Sequence, residues 1–493
     1  MTQKWSMPPR RPRRRRLLAG AALAFILVIA GVAGAVATMP GGLTGFVNGA
    51  GSVASPPPST SAVPGVSPAL PGSPQPSDGP GASSARVGAT AEPSPAPPGS
   101  PMATALPSAG LPVDTATAAT LQRALEAARK SMVIPGVAAT VILADGRTWT
   151  GVAGDAVAAT HAKVVPQTPF AIASLTKTFT AALILRLADE GQLTIDDTLA
   201  RWLPDYPNAA RITLRMLLQH TSGLADFFQN PKFDAALNQA KLRVWTPDEV
   251  LRFVGKPVFA PGQGWVYSNT NFVLLGLVAE RAGGAPWAEQ VRREFFVPLG
   301  LESTYVQGVG SPVAPPAHAN QMFVGSGGRI LPRDLSDGSA LVPFTSVVTA
   351  AFSAGSIAST SGDLARWARA LYGGDVLTPA SLAQMLTFDP KIEQYAALAY
   401  GLGVSRVNID GRFVAFGHTG ALAGTRASIR WLPKERVTVA VVFNRDLFRG
   451  DDMIRSLLVA LYPRPQPGAS PGASAGPSPT PSFAPSSAPR TAL

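Results

Sequence analysis

The chain has 493 residues, four histidines and no cysteine, and its formal net charge is +12. This length exceeds that of one compact domain, and the lack of cysteine excludes disulfides, thiol nucleophiles, lipid-modified cysteines and thiolate metal sites. So few histidines also argue against a zinc centre, and we expect no metal or organic cofactor. Residues 1–16 contain seven cations and no acid; without them 35 basic and 30 acidic residues remain, a net charge of +5. The basic character therefore belongs to the leader and does not indicate nucleic-acid binding.

The leader consists of the basic stretch 1–16 followed by 23 uncharged residues, 17–39. A helix of that length would span about 34 Å, enough for the hydrocarbon core of a bilayer. The arginines should remain on the cytoplasmic side. Two interpretations stay open: an uncleaved single-pass anchor, which we favour, or a signal peptide cut at Ala35-Val36-Ala37, which would release a secreted protein. In both cases the rest of the chain is predicted to be extracytoplasmic.

Two stretches rich in Pro, Ser, Gly and Ala flank a region of normal globular composition. Residues 40–111 contain only three charged side chains, and residues 464–493 have a similar composition. Because such stretches bury too little apolar surface to offset the entropy of ordering, we predict that both are disordered. The first would span about 45–50 Å as a flexible coil, which suits a tether to a membrane. The region between them, 112–463, is predicted to be one large domain.

Within the domain, apolar periodicity predicts a helix near each end and strands beside each helix. The first helix is predicted at Thr115–Met132 and the last at Met453–Leu461. A turn at Asp145-Gly146 should join the first two strands. The predicted strands are Val137–Ala144, Thr148–Ala153, Gly403–Asn408, Arg412–Phe416, Ala427–Leu432 and Val437–Phe443.

The middle of the domain, about 174–375, is predicted to be mainly helical. One helix start is marked by Thr246 with Glu249 three residues later, a capping box with proline at the first helical position. Strands from both ends of the chain with helices between them predict an α/β fold. We therefore expect an antiparallel sheet, flanked by the terminal helices and carrying a large all-helical insertion.

A serine and a lysine three residues apart, Ser174 and Lys177, open a strongly apolar helix. Residues at i and i+3 share one helix face. A lysine whose pKa is lowered by burial can take the proton of a serine hydroxyl and so make it a nucleophile. On its own, however, the pair is better explained by a capping serine beside a surface lysine.

Two later segments add groups that suit the same chemistry. Tyr267 and Asn269 lie just before an apolar helix, where a phenol could pass a proton to a leaving group and an amide could bind a substrate carbonyl. His418-Thr419-Gly420 falls in the predicted terminal sheet, where a glycine lets the backbone approach a ligand closely. Taken singly, an aromatic turn and a histidine satisfied within a strand would also explain these segments.

Taken together and in this order, the three segments resemble the signature of the serine β-lactamase and penicillin-binding-protein family. The similarity is greatest to its class C-like branch, which includes D-alanyl-D-alanine carboxypeptidases and esterases, and it covers about residues 112–463. This resemblance implies the β-lactamase/transpeptidase-like fold. Further local matches are Leu217-Leu218-Gln219-His220-Thr221-Ser222-Gly223-Leu224, Pro261-Gly262, Ala354-Gly355-Ser356-Ile357 and Ser361 to Leu364.

The resemblance implies a role for each residue of the first two segments. Ser174 would be the nucleophile that is acylated, and Lys177 would be its general base, alone or shared with Tyr267. Tyr267 would also protonate the leaving group. Asn269 would position Lys177 and the amide of the substrate. Deacylation would then depend on Tyr267, Lys177 or His418, because we find no equivalent of the deacylating glutamate of class A β-lactamases.

The third segment would complete the implied site. The N–H groups of Ser174 and Ala421 would form the oxyanion hole, and Thr419, Gly420 and Ala421 would bind the substrate. His418 stands where β-lactamases usually have a lysine, and a histidine is mostly neutral at pH 7. This departure favours a peptidase or esterase over a β-lactamase. If a cationic His418 held a substrate carboxylate, kcat/KM would fall as the pH rises past the pKa of the histidine.

The leading hypothesis is an exported serine hydrolase that forms an acyl-enzyme on Ser174. It would be a D-alanyl-D-alanine carboxypeptidase, a D-aminopeptide hydrolase or an esterase, acting on a peptide such as a cell-wall stem peptide or on a small ester. One alternative is a β-lactamase. Another is a non-catalytic module that binds the cell wall or regulates another protein.

The remaining histidines have weaker functional signals. A Ser-His-Asp triad through His220 is conceivable, but this residue falls in a segment that the family keeps for structural reasons. His161 and His318 are predicted to lie on the surface.

Overall fold

The computed structural model describes residues 110–393 and 399–464. The predicted leader 1–39, nearly all of the predicted first linker and residues 465–493 lie outside the described residues. Within the described ranges, no helix has both the length and the apolar character needed to cross a bilayer.

The strands of the described region form three antiparallel sheets. In chain order they are β1 (Gly136–Ile142), β2 (Thr148–Val157), β3 (Ala162–Lys163), β4 (Phe170–Ala171), β5 (Tyr305–Val306), β6 (Asn320–Val324), β7 (Ile330–Asp334), β8 (Ile357–Ser359), β9 (Ala399–Tyr400), β10 (Ser405–Ile409), β11 (Phe413–Leu422), β12 (Thr425–Leu432) and β13 (Val437–Phe443). The main sheet has eight strands in the order β3-β2-β1-β13-β12-β11-β10-β9. Strands from the two ends of the domain therefore meet where β1 pairs with β13. The smaller sheets are β4-β8-β5 and the hairpin β6-β7.

The helices surround the main sheet on both faces. In chain order they are α1 (Thr115–Ser131), α2 (Thr176–Asp189), α3 (Leu214–Leu218), α4 (Pro231–Gln239), α5 (Pro247–Leu251), α6 (Asn269–Gly283), α7 (Trp287–Val291), α8 (Thr345–Ala351), α9 (Ser361–Gly373), α10 (Pro379–Met385), α11 (Pro390–Glu393) and α12 (Gly450–Leu461). A π-helical turn, Arg292–Phe296, follows α7.

The central strands bury both faces, and each face packs on a different set of helices. Val137 and Ala139 of β1 belong to an apolar cluster with Leu121 of α1 and Leu457 of α12. Ala138, which lies between them, joins the cluster on the other face, with much of α2, α6 and α9. This alternation arises because successive side chains of a strand point to opposite faces.

The structure agrees with most of the elements predicted from the sequence. The helix predicted at Thr115–Met132 ends one residue earlier, and the strand predicted at Val437–Phe443 has the same bounds. The capping box is present: the Glu249 N–H donates to Thr246 Oγ1 at 3.3 Å, and the Thr246 N–H donates to Glu249 Oε2 at 2.9 Å. The antiparallel sheet is confirmed, and both terminal helices, α1 and α12, pack on the same face of it.

The prediction of an all-helical insertion is wrong in one respect. The region between α2 and α9 also contains the hairpin of β6 and β7, besides the short strands β5 and β8. The hairpin turn includes Gly327 and Gly328, both with φ near 75°, a conformation that glycine adopts at little cost. The glycine-rich stretch at 325–328 was a turn signal, but the flanking strands are short and partly exposed and so have little apolar pattern.

Candidate active site

Ser174 lies in a tight helical turn, Ala173–Leu175, directly before α2. Its neighbour Ala173 has a φ of 50°, in the left-handed region that residues with a Cβ adopt rarely and that often marks functional sites. Ser174 is half-buried. The first amide groups of a helix have no acceptor within the helix, so the Ser174 N–H can serve an acceptor outside it.

Lys177 lies one helical turn after Ser174 and is fully buried. Its Nζ is 3.0 Å from Ser174 Oγ, 2.7 Å from Asn269 Oδ1 and 2.8 Å from the carbonyl oxygen of Ala354. The amide and backbone oxygens can only accept, so each takes a hydrogen from Nζ. In the neutral amine, this arrangement leaves the lone pair for the third neighbour, the Ser174 hydroxyl.

The surroundings of Lys177 favour this neutral form. Burial lowers the pKa of Lys177 to about 7, and the charge of Asp226 opposes the shift. The physical cause is the loss of hydration, which destabilises a buried cation. Near pH 7 a substantial fraction of this lysine is therefore unprotonated and able to accept a proton.

Tyr267 completes the group around the serine. Its hydroxyl is buried and makes no hydrogen bond of normal geometry to the described residues. Burial raises the pKa of Tyr267 well above its usual value, while the proximity of the Ser174 hydroxyl lowers it. The Tyr267 ring lies over Lys177, with Nζ 5.0 Å from the ring centroid. The phenol is thus protonated at neutral pH and has a hydrogen to donate.

Asn269 is the first residue of α6 and connects Lys177 to a carboxylate. Its Oδ1 accepts from Lys177 Nζ, and its Nδ2 donates to Asp226 Oδ2 at 2.8 Å. The second hydrogen of Nδ2 is not used in these contacts. Asn269 can therefore hold Lys177 and still offer one donor to a substrate.

The edge of β11 forms the opposite wall of the site. Because β10 pairs with β11 only as far as Gly417, the remainder of β11 has one open edge. A two-residue turn joins Leu422 to Thr425, so the backbone groups of these two residues pair with each other. The N–H and C=O groups of successive residues point to opposite edges of a strand. Since those of Leu422 face β12, the N–H of Ala421 faces the open edge. Gly420 packs against the backbone of Ile172, which brings this edge to Ser174.

His418 is buried in β11, and both of its ring nitrogens have partners. Nδ1 lies 2.6 Å from the Thr419 carbonyl oxygen, which can only accept, so Nδ1 carries the hydrogen. Nε2 lies 2.9 Å from the Tyr400 hydroxyl and accepts its hydrogen. Burial and the nearby charge of Lys177 lower the pKa of His418 to about 3. The imidazole is neutral at pH 7, which contradicts the hypothesis of a cationic His418 that binds a carboxylate.

His220 supports the site without belonging to a triad. Its Nδ1 accepts from the Ser268 N–H at 3.2 Å and from Asn271 Nδ2 at 3.1 Å. Its ring centroid lies 4.4 Å from that of Tyr267. Within the described region its hydrogen-bond partners include neither Ser174 nor a carboxylate, so the contacts do not form the Ser-His-Asp triad. The ring holds the Tyr267–Asn269 segment in place.

The two other histidines lie away from these residues. His161 is exposed, as predicted, and bonds to Asp155 at 3.0 Å. His318 is half-buried at the surface, and its Nδ1 bonds to Asp334 at 2.6 Å.

The structure brings together residues that lie far apart in the sequence. Ser174, Lys177 and Asn269 are in direct contact, and Tyr267 packs beside them. Thr419, Gly420 and Ala421 form the adjacent strand edge, with His418 directed into the interior. Sequence reasoning assigned no site role to Asp226, Tyr400 or Ala354. Asp226 had a visible signal, an acidic residue within the apolar stretch Leu224–Phe228, and Ala354 falls in one of the segments matched to the family.

Comparison with known proteins decides the family. The family description that matches this chain is Beta-lactamase, over residues 121–462. The chain belongs to the beta-lactamase family. With the predicted serine and lysine in contact, this membership makes it a serine hydrolase.

Three similar proteins illustrate the range of this family. Over 289 residues the chain is 31% identical to penicillin-binding protein 4* of Bacillus subtilis (strain 168), covering 56% of this chain and 61% of the relative. Over 168 residues it is 37% identical to esterase EstB of Burkholderia gladioli, covering 31% of this chain and 43% of the relative. These matches thus span about half of each relative. A D-stereospecific amidohydrolase from Streptomyces sp. superimposes with a TM-score of 0.59 at 29% identity, covering 70% of this chain and 98% of that chain.

Proposed function

We propose that this chain is an exported serine hydrolase that forms an acyl-enzyme on Ser174 and cleaves D-aminopeptides, D-amino-acid amides or small esters. The observation that carries the proposal is the position of Lys177. Nζ lies 2.7 Å from the Asn269 oxygen, 2.8 Å from the Ala354 carbonyl oxygen and 3.0 Å from Ser174 Oγ. Because the first two can only accept, a neutral amine that donates to both has its lone pair left for the Ser174 hydroxyl. This is the geometry that a general base needs to activate a serine.

In the proposed acylation step, Ser174 Oγ attacks the carbonyl carbon of the substrate and its proton passes to Lys177 Nζ. The carbonyl oxygen becomes an oxyanion between the N–H groups of Ser174 and Ala421. One such donor contributes about 3–4 kcal/mol to stabilising this transition state. The free N–H of Asn269 would orient the substrate amide.

The tetrahedral intermediate then collapses with cleavage of the bond to the leaving group. The Tyr267 hydroxyl donates a proton to the leaving amine or alcohol, and the proton held by Lys177 restores the phenol. A water molecule then attacks the ester on Ser174, with Lys177 or Tyr267 as base. His418 is not suited to this role, because Nδ1 carries a hydrogen and Nε2 already accepts one from Tyr400.

The state of His418 bears on the substrate class. A carboxypeptidase substrate and a β-lactam both carry a carboxylate near the scissile bond, and a permanent cation would favour either. The buried imidazole beside Thr419 is neutral, with its pKa lowered to about 3. This supports amides, peptides and esters that carry no carboxylate near the scissile bond. The Streptomyces amidohydrolase and the Burkholderia esterase are relatives whose names agree with such substrates.

Three other functions remain as outcomes of the test. A β-lactamase would turn over a chromogenic cephalosporin. A D-alanyl-D-alanine carboxypeptidase would release D-alanine from a stem peptide, and similarity to penicillin-binding protein 4* makes this substrate worth including. A non-catalytic wall-binding module would bind peptidoglycan without acylation, and the intact Ser174–Lys177 contact argues against it.

A fluorescent phosphonate and a fluorescent penicillin test the acyl-enzyme. The wild type should be labelled by the phosphonate on Ser174, and Ser174→Ala should not be labelled. Ser222→Ala is a matched control, because Ser222 is buried and its hydroxyl is bonded to Asn271. Equal labelling of the wild type and Ser174→Ala would refute the proposal.

A panel of substrates then separates the activities. The proposal predicts turnover of D-alanine p-nitroanilide and p-nitrophenyl acetate, with slower release of D-alanine from a D-alanyl-D-alanine peptide and little turnover of nitrocefin. Predominant turnover of nitrocefin would assign a β-lactamase instead. Saturable binding to peptidoglycan with no labelling by either probe would assign a non-catalytic module.

Export is proposed from the sequence of residues 1–39. The full chain should fractionate with membranes if this segment is an anchor, and a chain starting at residue 40 should be soluble. A shortened amino terminus in the mature protein, found by mass spectrometry, would instead indicate a cleaved signal peptide. Recovery of the full-length chain in the cytosol would refute export.

A further inference from the structure

Asp226 is a buried acidic residue to which the mechanism above assigns no task. Its side chain is 8% exposed. One carboxylate oxygen accepts from the Asn269 amide at 2.8 Å, and the other accepts from the Phe228 N–H at 3.1 Å. Both oxygens accept from N–H donors, which favours the ionised carboxylate. Burial raises the pKa of Asp226, while these hydrogen bonds and the charge of Lys177 act in the opposite direction.

The carboxylate determines which way the Asn269 amide points. With Nδ2 toward Asp226, Oδ1 faces Lys177 Nζ at 2.7 Å. The flipped amide would place an oxygen against the carboxylate and two N–H groups against Lys177. The contact with the carboxylate would be repulsive, and the N–H groups would either oppose the hydrogens of Lys177 or occupy its lone pair. In a buried site such mismatches are costly. Asn269 therefore has one stable orientation while Asp226 is charged.

This orientation matters because it directs the Lys177 lone pair. The Asn269 oxygen takes one hydrogen of Nζ and the Ala354 carbonyl takes another, at 2.8 Å. Without the Asn269 oxygen, one of these hydrogens would be free to turn toward Ser174. The amine would then donate to the Ser174 hydroxyl instead of accepting its proton.

The charges around Lys177 come from several segments. The titratable side chains near it are Asp226, Tyr267, His220 and His418. Of these, Asp226 is the one that raises the pKa of Lys177, against the effect of burial. The two histidines have pKa values well below their usual range and are neutral at pH 7.

We propose that Asp226 is a positioning residue for the Ser174–Lys177 pair, acting through Asn269. Its carboxylate fixes the Asn269 amide so that the amide oxygen holds one hydrogen of Lys177 and the lone pair faces the serine. The inference rests on the proposed function, in which Lys177 is the base.

The test uses Asp226→Asn and Asp226→Ser in the full chain. Asparagine keeps the shape and removes the charge, whereas serine keeps an acceptor for the Phe228 N–H but cannot reach Asn269. The second-order rate of phosphonate labelling is measured from pH 5 to pH 9. We expect the labelling rate at the high-pH plateau to be about 10- to 100-fold lower than in the wild type, because the lone pair of Lys177 no longer faces Ser174. We also expect the rise of the labelling rate with pH, its acid limb, to occur about one pH unit lower. Without the negative charge of Asp226, the pKa of Lys177 falls.

Asp363→Asn is the matched control. Asp363 is also a buried carboxylate, and it accepts from the Ser303 N–H at 2.9 Å and from Thr304 Oγ1 at 2.9 Å. Loss of its charge should leave the position of the acid limb unchanged. A lowered plateau with an unmoved limb in both Asp226 variants would show a merely structural role and would overturn the proposal. The proposal would also be overturned if either folded Asp226 variant had the labelling rate and the pH profile of the wild type.

A second readout separates this inference from the proposed function. The pKa of Lys177 can be followed by NMR of ¹³Cε-labelled lysine, with the signal assigned by Lys177→Arg. It should fall in Asp226→Asn whether or not a probe reacts. If the wild type is not labelled on Ser174, the proposed function fails, and an unchanged Lys177 pKa would refute the Asp226 proposal independently.

Discussion

Gly420 on β11 packs directly against the carbonyl oxygen of Ile172, two residues before the proposed nucleophile. A Cβ at position 420 would overlap this oxygen and would also lie 3.3 Å from the Cβ of Ala173. The close approach brings the open edge of the strand to the turn that carries Ser174. It gives a physical reason for glycine in the His418-Thr419-Gly420 segment.

Gly420→Ala should therefore separate the strand edge from Ser174. The overlap is with backbone atoms, so relief requires the strand or the turn to move. We expect a loss of about 1–3 kcal/mol of stability and a fall in the phosphonate labelling rate of about 10- to 100-fold. Thermal unfolding and labelling kinetics measure the two effects.

Gly362→Ala provides the control for this change. Gly362 lies in the first turn of α9, and the nearest atom to a Cβ there is Thr360 Oγ1 at 3.8 Å. Alanine at this helical position should keep or slightly raise the stability. Equal behaviour of the two variants would show that the contact between Gly420 and Ile172 is unimportant.

The activity of the wild type should rise with pH through the pKa of Lys177. Protonated lysine has no lone pair, so the enzyme is inactive below this pKa and active above it. Because burial lowers the pKa to about 7, the acid limb of kcat/KM should lie near pH 7. Lys177→Arg, which stays cationic, should lose about 10²–10⁴-fold of the acylation rate. A flat profile between pH 5 and pH 9 would contradict the role of Lys177 as base.

Tyr267→Phe should affect amides far more than activated esters. An amine leaves only when it is protonated, whereas p-nitrophenolate leaves without help. We expect kcat/KM to fall about 10²–10⁴-fold for a D-alanine alkylamide and only a few-fold for p-nitrophenyl acetate. Tyr206→Phe is the control. Burial raises the pKa of Tyr206 to about 12, as it raises that of Tyr267, but Tyr206 lies in the segment before α3 and is not one of the site residues. An equal loss with both substrates would argue against a role in leaving-group protonation.

His418 should make the fold sensitive to acid. Its pKa is about 3 in the folded protein and 6.5 in the unfolded chain. Between these values the unfolded chain binds the proton and the folded protein does not, so stability falls as the pH drops through this window. The full effect is about 5 kcal/mol.

His418→Gln should lose less stability than the wild type between pH 6.5 and pH 4. Urea denaturation at several pH values measures the difference. The exposed His161, whose side chain is 78% accessible, gives the control variant His161→Gln, which should follow the wild type. If His418→Gln keeps the full pH dependence of the wild type, the buried imidazole is not neutral in the folded protein.

Much of the architecture was predictable from the sequence. Alternating and helical apolar patterns located the terminal helices and most strands of the main sheet, because local periodicity reports which face of an element is buried. The Ser174–Lys177 contact was predictable as well, since residues three apart on a helix lie side by side. The hairpin of β6 and β7 was missed because its strands are short and partly exposed, which leaves little apolar pattern.

By itself the sequence determined the order of elements, the identity of the motif residues and their resemblance to one family. Tertiary structure alone decided the electrostatic state of the site. The neutral form of His418 depends mainly on its burial, and the direction of the Asn269 amide depends on Asp226. The groups involved come from separate segments, and they meet only when the sheet and the helices pack. Burial and distant partners set the pKa of a side chain, and neither is encoded in its local sequence.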